Sequence, residues 1–186
     1  MAIEDLVQDA GRRMDKSVEA AQAEFATLRT GRASPALLDR VQIDYYGQQT
    51  PLKQLATIGA PEPRMLTIQP FDPNSVSTIE RAIQESDLGL TPSNDGKLIR
   101  LPIPQLTEER RKELVKHVKK IAEEYRVSVR NHRRVAIEHV KEAEKKKEVT
   151  ADDSKHAHDR VQKITDDFIG RIDKIVKAKE EEVMAV

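Results

Sequence analysis

Four arginines crowd into nine residues, at Arg126, Arg130, Arg133 and Arg134. Guanidinium groups repeated at helical spacing present planar forks of donors that match phosphate oxygens and stack on bases, so the chemistry they offer is the binding of a polyanion, RNA foremost. The remaining candidates are weaker. His156 and His158 stand two apart near the start of a predicted helix, which puts them on different faces and favours solvent over a shared metal ion. His132 projects near an apolar stripe and reads as a packing histidine, while His117 and His139 read as helix-surface residues. Asp44, Asp72 and Glu85 have nothing to position them as an acid–base pair. Tyr45 and Tyr46 sit side by side on a predicted strand and point to opposite faces, one a possible stacking platform and the other a core residue. No Gly-rich phosphate loop, HExxH, GxSxG or nucleophile-triad signature occurs, so the expectation is no enzyme, no catalytic residues, no metal and no cofactor.

The arginines need a long, straight helix to line them up. After Thr107, an N-cap with Glu108 and Glu109 in the first turn, Leu114, Val118, Ile121, Tyr125, Val129, Ala136, Val140 and Ala143 recur at spacings near three and four. On a wheel of about 100° per residue, Lys112, Lys116, Lys119 and the four arginines fall on one side of that stripe. Glu113, Glu124, Glu138 and Glu142 fall on the other, with Glu123 and Lys120 breaking the rule. The pattern suits RNA backbones, and it equally suits a solvated face laced with intrahelical ion pairs. An earlier helix is predicted from Ile3 to Leu28, ended by Gly31 and Pro35, and a last one opens at Thr150 with a TADD capping-box pattern. Each has one apolar stripe and lacks a partner of its own, so the three are expected to bury one another as a bundle.

Between Gly31 and Pro104 the texture changes, and all nine prolines lie there. Val41 to Tyr45 and Met65 to Phe71 read as strands, Ser75 to Ser86 as a short helix after DPNS, and Leu88 to Thr91 with Leu98 to Ile103 as a hairpin around Asn94–Gly96. The expected organisation is therefore α+β. Residues 1–30 and 105–186 form a discontinuous three-helix bundle, and 31–104 form an inserted β/α/β domain. The two crossings, near 29–35 and 101–105, act as hinges that include Thr30, Gly31, Ser34, Pro35, Pro102 and Pro104.

Composition agrees. Apolar residues make up 38% and charged residues 34%, with aromatic residues at only 3%, which favours slender helices over one thick core. The formal net charge is +0, so attraction to nucleic acid must come from segregated patches. The absence of cysteine excludes disulfides, thiolate zinc sites and a cysteine nucleophile. No segment reads as a secretory signal or a membrane span, and a cytoplasmic protein is expected.

Several long runs, in one collinear order, carry a resemblance. RTGRASPALLD (Arg29–Asp39), YYG (Tyr45–Gly47), TPLKQLA (Thr50–Ala56), SDLGL (Ser86–Leu90), LTEERRK (Leu106–Lys112) and VRNHRR (Val129–Arg134) strongly resemble the ribosome recycling factors across essentially the whole chain. The resemblance implies a long antiparallel three-helix bundle with a small inserted domain, L-shaped and tRNA-like. It implies a monomer that binds the large ribosomal subunit after termination and, with elongation factor G, separates the subunits, the GTP hydrolysis belonging to the partner. It also implies that Arg126, Arg130, Arg133 and Arg134 contact ribosomal RNA, with Arg29 and Arg32 as further candidates in the hinge motif.

Overall fold

The computed structural model describes residues 2–185. The chain divides into two compact units, one made of the residues up to Phe25 and from Lys112 onward, the other of Ala26–Arg111. The division falls a few residues outside the crossings expected at 29–35 and 101–105.

The first unit holds three helices, α1 (Ile3–Ala26), α3 (Glu108–Lys145) and α4 (Ala151–Met184), α1 and α3 each running a few residues past its limits. The apolar repeat predicts a helix as far as Leu28. α1 stops earlier, because residues 27–28 turn out of the helical register ahead of the left-handed Gly31. Each helix buries one stripe: Leu6, Ala10, Met14, Val18, Ala21 and Phe25 on α1, Leu114, Val118, Ile121, Val129 and Val140 on α3, and Ala157, Val161, Ile172, Val176 and Val183 on α4. Alternate spacings of three and four put each set on one side of its helix, so the three stripes meet.

Cross-helix contacts set the directions. Glu4 and Asp15 of α1 meet Arg160 and Arg171 of α4, and the Thr165 hydroxyl of α4 lies 3.8 Å from the Met14 sulfur. Both ion pairs have a sequence separation of 156, so α1 and α4 run parallel in constant register. α3 runs against both, with Ser128 at 3.0 Å from Ser17 of α1 and Arg126 reaching Asp173 of α4. The reversal between α3 and α4 is tight. Lys147, at φ 60, turns the chain, and Thr150 then caps α4 by accepting from the Asp153 amide while the Asp153 carboxylate accepts from the Thr150 amide.

The second unit contains six strands and one helix. β1 (Gln42–Tyr45) and β2 (Gln48–Pro51) form a two-stranded antiparallel sheet, joined by Tyr46 and Gly47 at φ 51 and 80. Positive φ at both turn residues is the type I′ arrangement, whose twist matches that of the strands. β3 (Ala56–Glu62), β4 (Met65–Pro70), β5 (Ser93–Asn94) and β6 (Ile99–Pro102) form an antiparallel sheet in the order β3-β4-β6-β5. Across it lies α2 (Val76–Glu85), entered through a turn capped by Asp72. Val76, Ile79 and Ile83 of α2 are buried with Leu66 and Ile68 of β4 and Ile99 and Leu101 of β6. Period two on the strands and three to four on the helix bring these side chains into one core.

Two sequence expectations need correction. Leu88 to Thr91 is not a strand, since the hairpin partner of β6 is the short β5, and Leu90 is instead buried as a loop residue. Tyr46 is not on the strand and neither tyrosine is a core residue. Tyr46 occupies the turn at 84% exposure, and its ring stands edge-on to that of the half-buried Tyr45 at 4.6 Å between centroids.

Candidate nucleic-acid interface on the long helix

All four arginines of the cluster lie on α3, and the structure sorts them into two pairs. Arg126 and Arg133 lean towards α4. Arg126 places Nη2 at 2.7 Å and Nε at 2.9 Å from Oδ1 of Asp173, and Nη1 at 3.2 Å from Glu123. Its guanidinium is consequently committed to two carboxylates. Burial, the largest single influence, opposes its charge, but the bonds to Asp173 and Glu123 outweigh it and raise its pKa above the ordinary arginine value. Arg133 donates from Nη1 to Gln162 Oε1 of α4 at 3.0 Å, and its Nε is shielded without a hydrogen-bond partner.

Arg130 and Arg134 face outward, with side chains 46% and 61% exposed. Arg130 donates from Nη1 to Glu123 at 3.2 Å. Arg134 meets Glu138 at 2.9 Å and Asn131 at 2.8 Å. Both line an open depression of about 710 Å³ along α3, together with Arg133, Lys141 and the carboxylates Glu124 and Glu138. Lys116 and Lys119 continue the exposed cationic side towards the start of the helix. Ion pairs bring carboxylates onto the basic flank of the wheel, and one of them involves the exception already noted at Glu123. The Arg134–Glu138 pair joins the two flanks, and Glu123 stands within the basic one.

Sequence reasoning identified the arginines and missed their carboxylate partners. For Glu123 a signal existed: it broke the flank rule, and it lies three and seven residues before the arginines it holds. Asp173 comes from another helix, and no local pattern in α3 points to it.

Residues expected at the crossings are bonded within the second unit. Arg29 donates from Nη1 to the Leu88 carbonyl at 2.6 Å, while Arg32 is exposed. Thr30 is buried, Gly31 adopts φ 81 beside Leu106, and Ser34 caps the short turn that begins with Pro35. The first crossing is pinned by Ala33 N to Pro63 O at 2.6 Å. Pro102 closes β6 opposite Met65, and Ile103 N donates to Arg64 O at 2.8 Å just before Pro104. Both crossings therefore attach to the same turn between β3 and β4.

Of the histidines, His156 and His158 are exposed, His156 lying 4.0 Å from Asp152. His132 is half-buried beside Asp9 and Arg13 of α1. Burial first, and then Arg13, push its pKa below the ordinary value against the pull of Asp9. Among the described residues no group of three or more His, Asp or Glu side chains could hold a metal ion. No helix there is long and apolar enough to cross a membrane.

The first unit is thus a helical bundle with two outward arginines on α3, and the second a small α+β module set into the chain. The family model described as "Ribosome recycling factor" matches residues 21–184. A ribosome-recycling factor of Rubrobacter xylanophilus is 55% identical over 180 residues, covering 97% of both chains. That of Halalkalibacterium halodurans is 57% identical over 182 residues, covering 98% of both. A solution structure of a ribosome recycling factor superposes with a TM-score of 0.82 at 46% identity, covering 100% of this chain and 99% of that one. A second structure has a TM-score of 0.72 at 45% identity and covers both chains fully. Its subject is the T. thermophilus ribosome recycling factor and E. coli elongation factor G bound to the E. coli post-termination complex. This chain belongs to the ribosome recycling factor family.

Proposed function

We propose that this chain acts as a ribosome recycling factor. It binds the post-termination ribosome in the cytoplasm and, with elongation factor G, promotes dissociation into subunits and release from mRNA. The role is one of binding and not of catalysis. The observation that carries the reading is family membership across nearly the whole chain, joined to a helix whose outward arginines suit RNA phosphates.

In this reading the bundle docks, as a single chain, on RNA of the large subunit through α3. Arg130 and Arg134 make the outermost contacts, with Lys141 beside them in the same depression. Arg126 and Arg133 contribute mainly as braces to α4, because their donors are already turned to Asp173 and Gln162. Arg29 serves the second unit through the Leu88 carbonyl, and exposed Arg32 is an additional RNA contact. Bending between the units falls outside the segments pinned to the β3–β4 turn, in the residues that flank 29–35 and 101–105.

The test is co-sedimentation of purified large subunits with the native protein and with Arg130→Ala across a salt series. Docking through phosphates releases counterions, so binding should fall steeply with salt. Arg130→Ala should weaken it roughly tenfold and flatten the slope by about one. A folded native protein that fails to sediment with large subunits at low salt would overturn the reading in favour of a helical adaptor that docks through apolar surface.

A further inference from the structure

Glu123 stands where a phosphate-binding face should have no carboxylate. At about 100° per residue it projects within the basic flank, about 20° from Arg130 and about 60° from Arg126, and about 100° away from Glu124. It is engaged on both oxygens, Oε2 with Nη1 of Arg126 and Oε1 with Nη1 of Arg130, each at 3.2 Å. Arg126 has a second carboxylate in Asp173, whereas among the described residues Arg130 is held through Nη1 and Glu123 alone. The two arginines and two carboxylates cancel in formal charge, so the centre of the cationic face is locally neutral.

We propose that Glu123 is a specificity-determining residue of the RNA-docking face, an intramolecular competitor for the guanidinium of Arg130. This rests on the RNA-docking reading given above. A phosphate that approaches Arg130 must either displace Glu123 or take the donors Glu123 leaves open. An arbitrary RNA backbone offers phosphates in many positions and gains little by displacing a carboxylate already in place. An RNA surface shaped to reach the open donors keeps both interactions. Glu123 therefore lowers affinity for RNA in general more than affinity for the intended surface. The ion pair is about half-exposed, its side chains 46% and 56% accessible, so it yields when a better acceptor arrives.

The test compares native protein, Glu123→Gln, Glu123→Asp, Arg130→Ala and the Glu123→Gln/Arg130→Ala double variant. Each is titrated against a short generic RNA duplex and against purified large subunits over a salt series, with folding checked by circular dichroism. Glu123→Gln should bind the duplex roughly 3–10-fold more tightly and steepen its salt slope by about one. Its affinity for subunits should rise less, so that discrimination falls. Glu123→Asp retains the charge and should stay within about twofold of native on both. Combined with Arg130→Ala, Glu123→Gln should keep less than about a twofold gain, since its effect acts through Arg130. Unchanged or weaker duplex binding by Glu123→Gln, or a full gain without Arg130, would overturn the proposal. Should the native protein bind no subunits, the docking reading fails and takes this inference with it. Subunit binding with an unaltered duplex affinity in Glu123→Gln removes the inference alone.

Discussion

Arg126 of α3 and Asp173 of α4 close to 2.7 Å, and the pair ties the two antiparallel helices together from a side chain that is only 21% exposed. An exposed ion pair contributes roughly 0–1 kcal/mol. The covered aliphatic stem of Arg126 adds packing that a purely superficial pair lacks. Arg126→Ala should therefore lower stability by about 1 kcal/mol, seen as a drop in Tm of about 2–4 °C. Asp173→Ala should cost less, because Glu123 still holds the arginine. In the double variant the losses should fall short of their sum. Full additivity in thermal melts would show that the pair does not couple the helices.

Gly31 lies at φ 81, and a Cβ built there would stand 3.2 Å from Cγ of Leu106. A left-handed conformation costs a residue with a side chain roughly 1–2 kcal/mol, and the close approach adds to it. Gly31→Ala is expected to destabilise the second unit by about that amount or somewhat more. Gly47→Ala, at φ 80 with nothing within 4 Å, should pay the conformational cost alone. Urea melts of the two variants should rank them in that order.

The Thr150 capping box satisfies amides at the start of α4 that have no partner within the helix. Thr150→Ala should cost about 1 kcal/mol, and Thr150→Ser should restore most of it. A serine variant as unstable as the alanine variant would assign the effect to the lost methyl group instead.

His132 makes the bundle sensitive to mild acid. Its folded-state pKa lies below the unfolded value of 6.5, because burial and Arg13 disfavour the imidazolium more than Asp9 supports it. The folded state thus binds the proton less readily than the unfolded one. Its contribution is complete above pH 6.5 and is lost as the pH falls through that value towards the lower folded pKa. Comparing Tm at pH 7.5 and pH 5.5, the native protein should lose more than His132→Gln does. Equal losses would place the sensitivity elsewhere. The bonded carboxylates respond further down. Arg160 and Gln8 hold Glu4, and Arg13 holds Asp9, below their ordinary values, so what they contribute persists above those values and fades only as the pH falls through the acid range.

The helices were legible because long amphipathic repeats and side-chain caps are local signals. Thr150 and Asp153 lie three residues apart and announce α4 by themselves. Strands β2 and β3 were not anticipated. Gln48–Pro51 has no apolar alternation, and Ala56–Glu62 contains glycine and proline. Such residues are tolerated there because β3 is the edge of its sheet and β2 has a single neighbour. The cationic side of α3 was legible from one helix, whereas its partial neutralisation by Asp173 depends on the packing of α4 against it.

The constant separation of 156 residues between α1 and its ion-pair partners in α4 bears on how the protein is made. α1 leaves the translating ribosome well before α4, the helix it lies beside. At about 5–20 residues per second, the apolar stripe from Leu6 to Phe25 waits roughly 8–30 s for its partner. The second unit, compact within Ala26–Arg111, is free to fold during that interval. The newborn protein therefore passes through a stage with one finished module and one bare amphipathic helix. Chaperone binding during synthesis should concentrate on α1 and should end once α4 has emerged.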